Sequence, residues 1–533
     1  MELQLGKQKR MMYARVFNRT EEETCSADAV VPDALGDIGA IVVTEGTFCL
    51  WNLDFSDKSA QIEGSVAADV VYAEEGGALR SFPVELPVKV RISGETLSPD
   101  VRPWLRCTLT ALDARAVNSR KVRVTARLSL CLRAYRETEL ALTDRIESDG
   151  GAVFTRTETL CLQIPVSVEE KTFTVSETHR FASGQPEADR LLCHTETVLI
   201  DDVSTVGSRV IFQGRVCASV SYLQQGQMCP MVESFETQFS QMLDCPADTS
   251  PCLMHTAVNL TAAYLNVSAA ADGAVLEAEY HLVAQTVCLA DAEADCVTDA
   301  YCNTAELTLE RETVPAGTVQ PGEPLRLTAE GTLACEAASL TVVSRRAVVC
   351  GLAEDGCDVL VRLLVTDAEQ RVSCMEKRLH LPLEAAEGAR LELLSVQPEE
   401  PAVTVTADGF LIRVAVTART VALQESGFRQ VTGVTVQERV CPYASVACAA
   451  SASDSCVRPA MWVCLPTVHP NRATDLTISA SLRPLSSQPS TSTFTDCNAS
   501  SFNVSSLSAR ITAAAPSSAH TAIVRCTSRI DNG

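Results

Sequence analysis

Residues 61–90 read QIEGSVAADVVYAEEGGALRSFPVELPVKV, and the architecture of the chain can be worked out from this one segment. A run rich in β-branched residues ends at Tyr72. It is followed by Glu74-Glu75-Gly76-Gly77, where two glycines able to take positive φ make a turn, and the strand pattern resumes at Leu79. This is a β-hairpin. A second copy, VIFQGRVCASVSYLQQGQMCPMVESFETQF at 210–239, turns at Gln224-Gln225-Gly226-Gln227. The third, VLVRLLVTDAEQRVSCMEKRLHLPL at 359–383, turns at 366–370. Registering Tyr72 on Tyr222 on Val365 gives a period of about 150 residues, the size of a domain rather than of a solenoid repeat. The chain is therefore built of three tandem units.

Each hairpin is followed by a second strand pair, starting at Leu105, Leu260 and Leu391. Within these, Val122-Val124-Ala126-Leu128-Leu130 and Leu411-Arg413-Ala415-Thr417 alternate at period two, as a half-buried antiparallel strand requires. The expected fold is all-β: three tandem antiparallel domains of β-sandwich or barrel-like form with a disordered C-terminal tail rich in Ser, Thr and Ala. The expected boundaries are an N-terminal arm at 1–29, unit 1 at 30–140, connecting strands at 141–177, unit 2 at 178–304, a linker at 305–324, unit 3 at 325–438 and the tail at 439–533. A solvated arm is the reading of the polar N-terminal segment. The linker is read from the prolines and glycines clustered at 312–324.

With 533 residues and 46% apolar content the chain can build several packed cores. Aromatics are only 5%, so those cores should be aliphatic. A formal net charge of −23 argues against nucleic acid as a partner, because phosphates demand Lys and Arg. No window has the length and apolarity of a membrane span, and the first 17 residues lack an export signal's apolar core, so a cytosolic location is expected. The 23 cysteines include no Cys-x-x-Cys pair, and Cys107, Cys131, Cys161, Cys217, Cys288 and Cys350 lie in strand-like runs. They read as reduced, buried small apolar side chains rather than a disulfide framework. The evenly spaced Cys441, Cys448, Cys456 and Cys464, even with His469, lack zinc-type pairing, so no metal is expected.

Phosphate-binding loops, dinucleotide fingerprints, His-Glu-x-x-His and Gly-x-Ser-x-Gly are all missing from the sequence. The seven histidines are scattered, and acidic pairs such as Glu74-Glu75 and Asp201-Asp202 fall at turns. No catalytic residues and no cofactor are expected. Two motifs stand out as candidates for turn formation or interaction: Pro32-Asp33 with Asp37-Ile38 at the opening of unit 1, and Asp299-Ala300-Tyr301 at the close of unit 2. Two aspartates around a turn could hold a cation, but capping of the turn is the favoured reading.

After Arg439 the composition changes: residues 440–532 contain no Glu, Lys or Gly. Ser, Thr, Ala and Pro crowd in, which reads as a low-complexity tail.

In the order and spacing of Val31-Pro32-Asp33 with Asp37-Ile38, the strand ending in Tyr72 before an acidic Gly turn, the strand from Phe82 to Val88, and Val297-Thr298-Asp299-Ala300-Tyr301, the chain resembles the SPOCS-domain, SipL-like spore coat morphogenesis proteins of clostridia. The match covers roughly 30–438, with unit 3 the most diverged. The resemblance implies a non-enzymatic protein of spore coat or envelope assembly, acting in the mother cell at the forespore surface. It implies coat or basement-layer partners, such as a SpoIVA-like ATPase. Such proteins end in a LysM module, and peptidoglycan binding would need that module intact. The tail here does not read as LysM. Residues 469–491, reverse-translated out of frame with freely chosen permitted codons, can yield a LysM-like string, so the module is read as lost or frameshifted. Two alternatives from other classes are a secreted or cell-wall β-sandwich protein for adhesion or glycan binding, and a glycan-acting enzyme with convergent carboxylates.

Overall fold

The computed structural model describes residues 3–149, 153–181, 188–207, 209–224, 226–245, 252–270, 273–303, 305–353, 355–383 and 390–438. The chain divides into two compact parts, 1–441 and 442–533, and every described residue belongs to the first. The tail expectation, its cysteines and the LysM reading lie outside the described residues.

The described residues form twenty β-strands and one 3-10 turn, Ala337–Ser339. All strand pairs are antiparallel. One plan is used three times. In the first unit, β1 (Leu3–Val30) precedes a meander of β2 (Ile38–Ser56), β3 (Ser59–Glu74) and β4 (Leu79–Ser93). A hairpin of β5 (Arg102–Asn118) and β6 (Lys121–Ser148) comes next, and β6 returns to pair with β1, giving the sheets β1-β6-β5 and β2-β3-β4. The second unit repeats this with β7 (Val153–Arg180), the meander β8 (Ala188–Val206), β9 (Arg209–Gln224) and β10 (Met231–Asp244), and the hairpin β11 (Cys252–Ala270) and β12 (Gly273–Cys302). In the third, the leading strand is split into β13 (Ala305–Pro321) and β14 (Leu325–Ala334). The meander is β15 (Thr341–Ala353), β16 (Gly356–Thr366) and β17 (Val372–Pro382), and the hairpin's first arm is split into β18 (Arg390–Pro398) and β19 (Ala402–Thr406) before β20 (Gly409–Glu438).

In each unit the meander sheet lies on the hairpin sheet around an aliphatic core. Val122, Val124, Ala126, Leu128 and Leu130 of β6 face Ile62, Val66, Val70 and Tyr72 of β3, and the other two units repeat the pattern. Period-two alternation supplies this face, and its burial stabilises each sandwich at roughly 25 cal/mol per Å² of apolar surface. The three meander turns sit where the sequence pattern puts them, with Gly77 at φ +84°, Gly226 at +76° and, in place of glycine, Gln370 at +62°. Gln370 sits in a turn tightened by the Asp367 carboxylate, which accepts the Glu369 and Arg371 N–H groups. Gly64 and Gly214 hold equivalent positions eight residues before Tyr72 and Tyr222. A Cβ there would fall 2.3 Å from the Cys49 and Leu199 carbonyl oxygens and crowd the rings of Phe48 and Phe239.

The structure differs from the sequence reading at the arm and the linker, and it assigns the connecting strands to the units on either side. From Leu3 onward the arm is β1, paired with β6 as far as Val30. The connecting strands expected at 141–177 are strands, the end of β6 and most of β7. The linker at 305–324 is β13, paired with β20 from Ala305↔Glu438 to Pro321↔Val421; its glycine and prolines break the strand only between β13 and β14, where the Gly322 N–H bonds to the Thr420 carbonyl. The reason is shared. Beyond Tyr135, Ala290 and Leu423 the hairpin's first arm stops, and β1/β6, β7/β12 and β13/β20 continue as two-stranded ribbons wetted on much of their surface. A ribbon largely in water carries no run of apolar residues.

The three ribbons pack together through Met12 and Leu142 of the first, Leu162, Ile164, Ala292 and Ala294 of the second, and Val314 and Phe428 of the third. At the other side of the sandwiches, Val43 and Val71, Leu192 and Cys193, and Leu364 and Val372 bring the three meander sheets into one further core. Equivalent strands thus meet about a common axis. This explains why residues 42–50 of β2 are buried without interruption: one face packs in its own sandwich and the other against neighbouring units.

Candidate functional site

On the axis, the inner edge strands of the three units, β2 and β5, β8 and β11, β15 and β18, wall a cavity of about 230 Å³. Edge strands carry unpaired backbone N–H and C=O groups, which cost free energy when buried without partners. Side chains from the next unit meet them. Asn259 of β11 accepts the Cys107 N–H through Oδ1 at 3.0 Å and donates Nδ2 to the Leu105 carbonyl at 2.8 Å, standing in for a strand. Gln285 of β12 accepts the Leu105 N–H at 2.7 Å. Thr195 of β8 donates to the Gly46 carbonyl at 2.9 Å, and Arg106 of β5 donates Nη1 to the Leu393 carbonyl at 3.0 Å.

Charged groups gather beside these contacts. Glu45 of β2 is buried and bonded by Arg346 of β15 and, at 2.8 Å, by Arg362 of β16, which also bonds Glu376 at 2.7 Å. Burial opposes ionisation of Glu45, but the two guanidinium groups outweigh it and hold the carboxyl below its ordinary range. The partners occupy one register: Glu45 opposite Asp69, Thr195 opposite Ser219 and Arg346 opposite Arg362, each second member three residues before Tyr72, Tyr222 or Val365.

Between the first two units, the Thr47 hydroxyl donates to Glu196 Oε2 at 2.5 Å, and Glu196 Oε1 is 2.6 Å from His194 Nδ1. The other imidazole nitrogen of His194 is 3.7 Å from Asp69. Burial acts to lower the pKa of His194, but Glu196 and Asp69 raise it to about 9, so the ring is a cation at neutral pH. Burial pushes the Asp69 carboxyl up to about 6, partly offset by His194.

A second cluster joins all three units around Trp104. Its indole N–H donates to the His255 carbonyl at 3.1 Å, its ring lies 4.4 Å from the His255 imidazole, and the Arg133 guanidinium sits 4.5 Å above it. Arg133 also bonds Glu392 of β18 and, through Nη1, His255 Nδ1 at 3.0 Å. An arginine N–H can only donate, so Nδ1 is an acceptor and the imidazole is neutral. Burial drives its pKa down to about 3 in the same direction. These carboxylates, histidines and arginines are paired with one another, Glu45 with Arg346 and Arg362, His194 with Asp69, and Arg133 with Glu392 across unit boundaries, and Glu196 with His194 and Glu376 with Arg362 within a unit. Among the described residues no group of three or more His, Cys, Asp or Glu is arranged to hold a metal ion.

The motifs singled out in the sequence lie elsewhere and are not brought together. Pro32, Asp33, Asp37 and Ile38 form the β1–β2 connection at the end of the first sandwich remote from the ribbons. Arg120 fills this loop, donating to the Leu35, Val31 and Pro32 carbonyls at 2.6, 3.1 and 3.2 Å and reaching Asp37 at 3.3 Å and Asp33 at 3.5 Å. The Tyr72 hydroxyl donates to the Gly36 carbonyl at 2.9 Å. Ile38 is buried, and Pro32 and Asp33 are exposed. The loop is thus a cap closed by Arg120 and Tyr72. Asp299, Ala300 and Tyr301 lie at the tip of the second ribbon, where Asp299 pairs with Arg311 at 2.7 Å. Tyr301, 62% exposed, stacks on Phe154 at 4.9 Å.

Sequence reasoning missed Glu45, His194, Glu196, Arg346 and Arg362. For Glu45 and Arg362 the signal available was an ionisable residue inside an otherwise apolar strand, VVTEGTF or VLVRLLV, at the same hairpin register of units 1 and 3. Of the strand cysteines, Cys288 and Cys350 are buried, Cys107, Cys131 and Cys217 half-buried, and Cys161 exposed. No helix among the described residues is long and apolar enough to cross a membrane.

Comparison with family models, with curated proteins and with solved structures returns no match.

Proposed function

We propose that the chain is a non-enzymatic assembly protein of the spore coat or spore envelope, docking coat or SpoIVA-like basement-layer proteins through its β units. The observation that carries this reading is the use of the ionisable residues. Glu45 with Arg346 and Arg362, His194 with Asp69, and Arg133 with Glu392 bind across unit boundaries and hold three sandwiches together, as suits a scaffold. The ordered resemblance to SPOCS-domain proteins at 30–438 supplies the cellular setting, the mother-cell face of the forespore. The outer edge strands β4, β10 and β17 end their sheets with alternating exposed side chains, and β-augmentation along such an edge is a ready docking mode. Pro83 and Pro87 interrupt hydrogen bonding along β4, whereas β10 contains no proline, so β10 is the better edge.

A fluorescent fusion expressed from the native promoter tests this. It should be made during sporulation and collect around the forespore, and the purified protein should bind the basement-layer ATPase directly. Expression confined to growth, or export to the cell wall, would sink the proposal and favour the adhesion alternative.

A further inference from the structure

The three seams between the sandwiches are not alike. In each, the inner edge strand of one meander lies against the meander sheet of another unit. β8 lies on the first unit, where the Thr195 hydroxyl bonds the Gly46 carbonyl, the Glu196 N–H bonds the Thr47 hydroxyl at 2.9 Å and His194 reaches Asp69 at 3.7 Å. β2 lies on the third, where Glu45 meets Arg346 and Arg362, and residues 42–50 are buried without a break. β15 faces the second unit without a counterpart of these bonds. Arg345, one residue before Arg346 as His194 is one before Thr195, turns to Glu400 of its own unit at 2.6 Å. Ser219, which holds the place of Asp69, is 8% exposed, and its hydroxyl has no hydrogen-bond partner among the described residues.

A groove of about 700 Å³ separates the two walls of this seam. One wall is β15 itself from Val342 to Val349, where Ala347 alone is buried. β15 ends its sheet, bonded to β16 only, so on its other side the backbone N–H and C=O groups have no strand partner. At the β5 edge Asn259 and Gln285 meet such groups; among the described residues no side chain does so along 342–349. The opposite wall is a face of β8, β9 and β10 carrying the hydroxyls of Thr195, Thr197, Ser219 and Ser234. Charged side chains along the groove are already matched: Arg345 by Glu400, Arg346 by Glu45, Glu399 by Arg326 and Glu236 by Arg215.

A free strand edge opposite a wall of hydroxyls suits an extended chain. Its backbone can continue the β15 ladder, while alternate side chains meet the second unit. At about 3.3 Å per residue, residues 342–349 offer a ladder of roughly 25 Å. A charged side chain entering here would find no uncommitted counter-charge, whereas a small hydroxyl or amide side chain could bond Ser219. We propose that the groove between β15 and the second meander sheet binds an extended, uncharged peptide segment of a partner protein by β-augmentation, with Ser219 hydrogen-bonded to the bound strand. This site is separate from the outer edge β10 and does not depend on the partner being a coat protein.

Hydrogen–deuterium exchange on the full-length protein tests the free edge first. Amides of 342–349 should exchange faster than those of 42–50, and equal protection would mean that the edge is already covered and overturn the proposal. Binders are then selected from a phage-displayed library of random dodecapeptides. The selected peptides should be poor in charged residues, alternate hydroxyl-bearing with β-branched residues, and slow exchange at 342–349 while leaving β4, β10 and β17 unchanged. Ser219→Ala should weaken their binding roughly three- to tenfold without lowering the Tm of the free protein, because the hydroxyl has no partner there to lose. Thr197 is exposed, and Thr197→Trp should fill the groove and abolish binding. Peptides that protect an outer edge instead, or that bind the Thr197→Trp variant equally well, would place recognition elsewhere and overturn the proposal. A library that yields no binder above the background of that variant would overturn it equally.

Discussion

Glu45 shows at the scale of one residue how the interior is held. Its carboxylate lies between Arg346 and Arg362, with its side chain 8% exposed, so removing it takes the buried partner from Arg346 and leaves Arg362 with Glu376 alone. Glu45→Ala should therefore cost about 3–5 kcal/mol, the range for breaking a buried ion pair from one side, read as a lower urea midpoint. His194 adds a pH dependence. Its folded pKa of about 9 stands above an unfolded value near 6.5, so its contribution is fully present below about 6.5 and is lost as pH rises through 9. Denaturation followed from pH 7 to 10 should show wild-type stability falling by up to roughly 3 kcal/mol and a flatter profile for His194→Gln. A parallel decline in both proteins would remove His194 as the cause. Asp69, raised to about 6 from 3.8, loses its contribution as pH rises across that lower window.

At the scale of the strand, the question is what covers an edge. β5 ends its sheet at the axis, and Asn259 replaces the missing strand by pairing with both the Cys107 N–H and the Leu105 carbonyl. Asn259→Ala leaves both backbone groups buried without that partner and should lower stability by about 2–4 kcal/mol, measurable as a shift in Tm. Asn259 also heads an Asn-x-Thr sequon, but its amide is committed in the interior, so that sequon is a packing residue here. Strand existence was legible where one face is buried, as in β6 and β9. The ribbons were not: β1 alternates between half-buried and exposed positions, β13 is exposed at 310–313, and their pairing with β6 and β20 is what makes them strands.

For the whole molecule, one register position carries acid in unit 1 (Glu45, Asp69), neutral hydroxyls in unit 2 (Thr195, Ser219) and base in unit 3 (Arg346, Arg362). Three copies of the first unit about one axis would bring six carboxyl groups together, so the pattern allows the mixed arrangement and opposes the uniform one. Residues 1–149 expressed alone should therefore not form a stable trimer at neutral pH, by sedimentation, yet should recover a 1:1 complex with residues 153–438. A tight homotrimer of the fragment would contradict this account. The sequence by itself determined the strand period, the three hairpin turns and the threefold repetition, because these rest on neighbours within a few residues and on burial of one strand face. Only the tertiary structure decided that arm and linker are strands, that loop residues Pro32 to Ile38 form a cap under Arg120, and that the working charges meet at the axis. Glu45 and Arg346 are 301 residues apart in the chain, and no local preference of either residue specifies a partner at that distance.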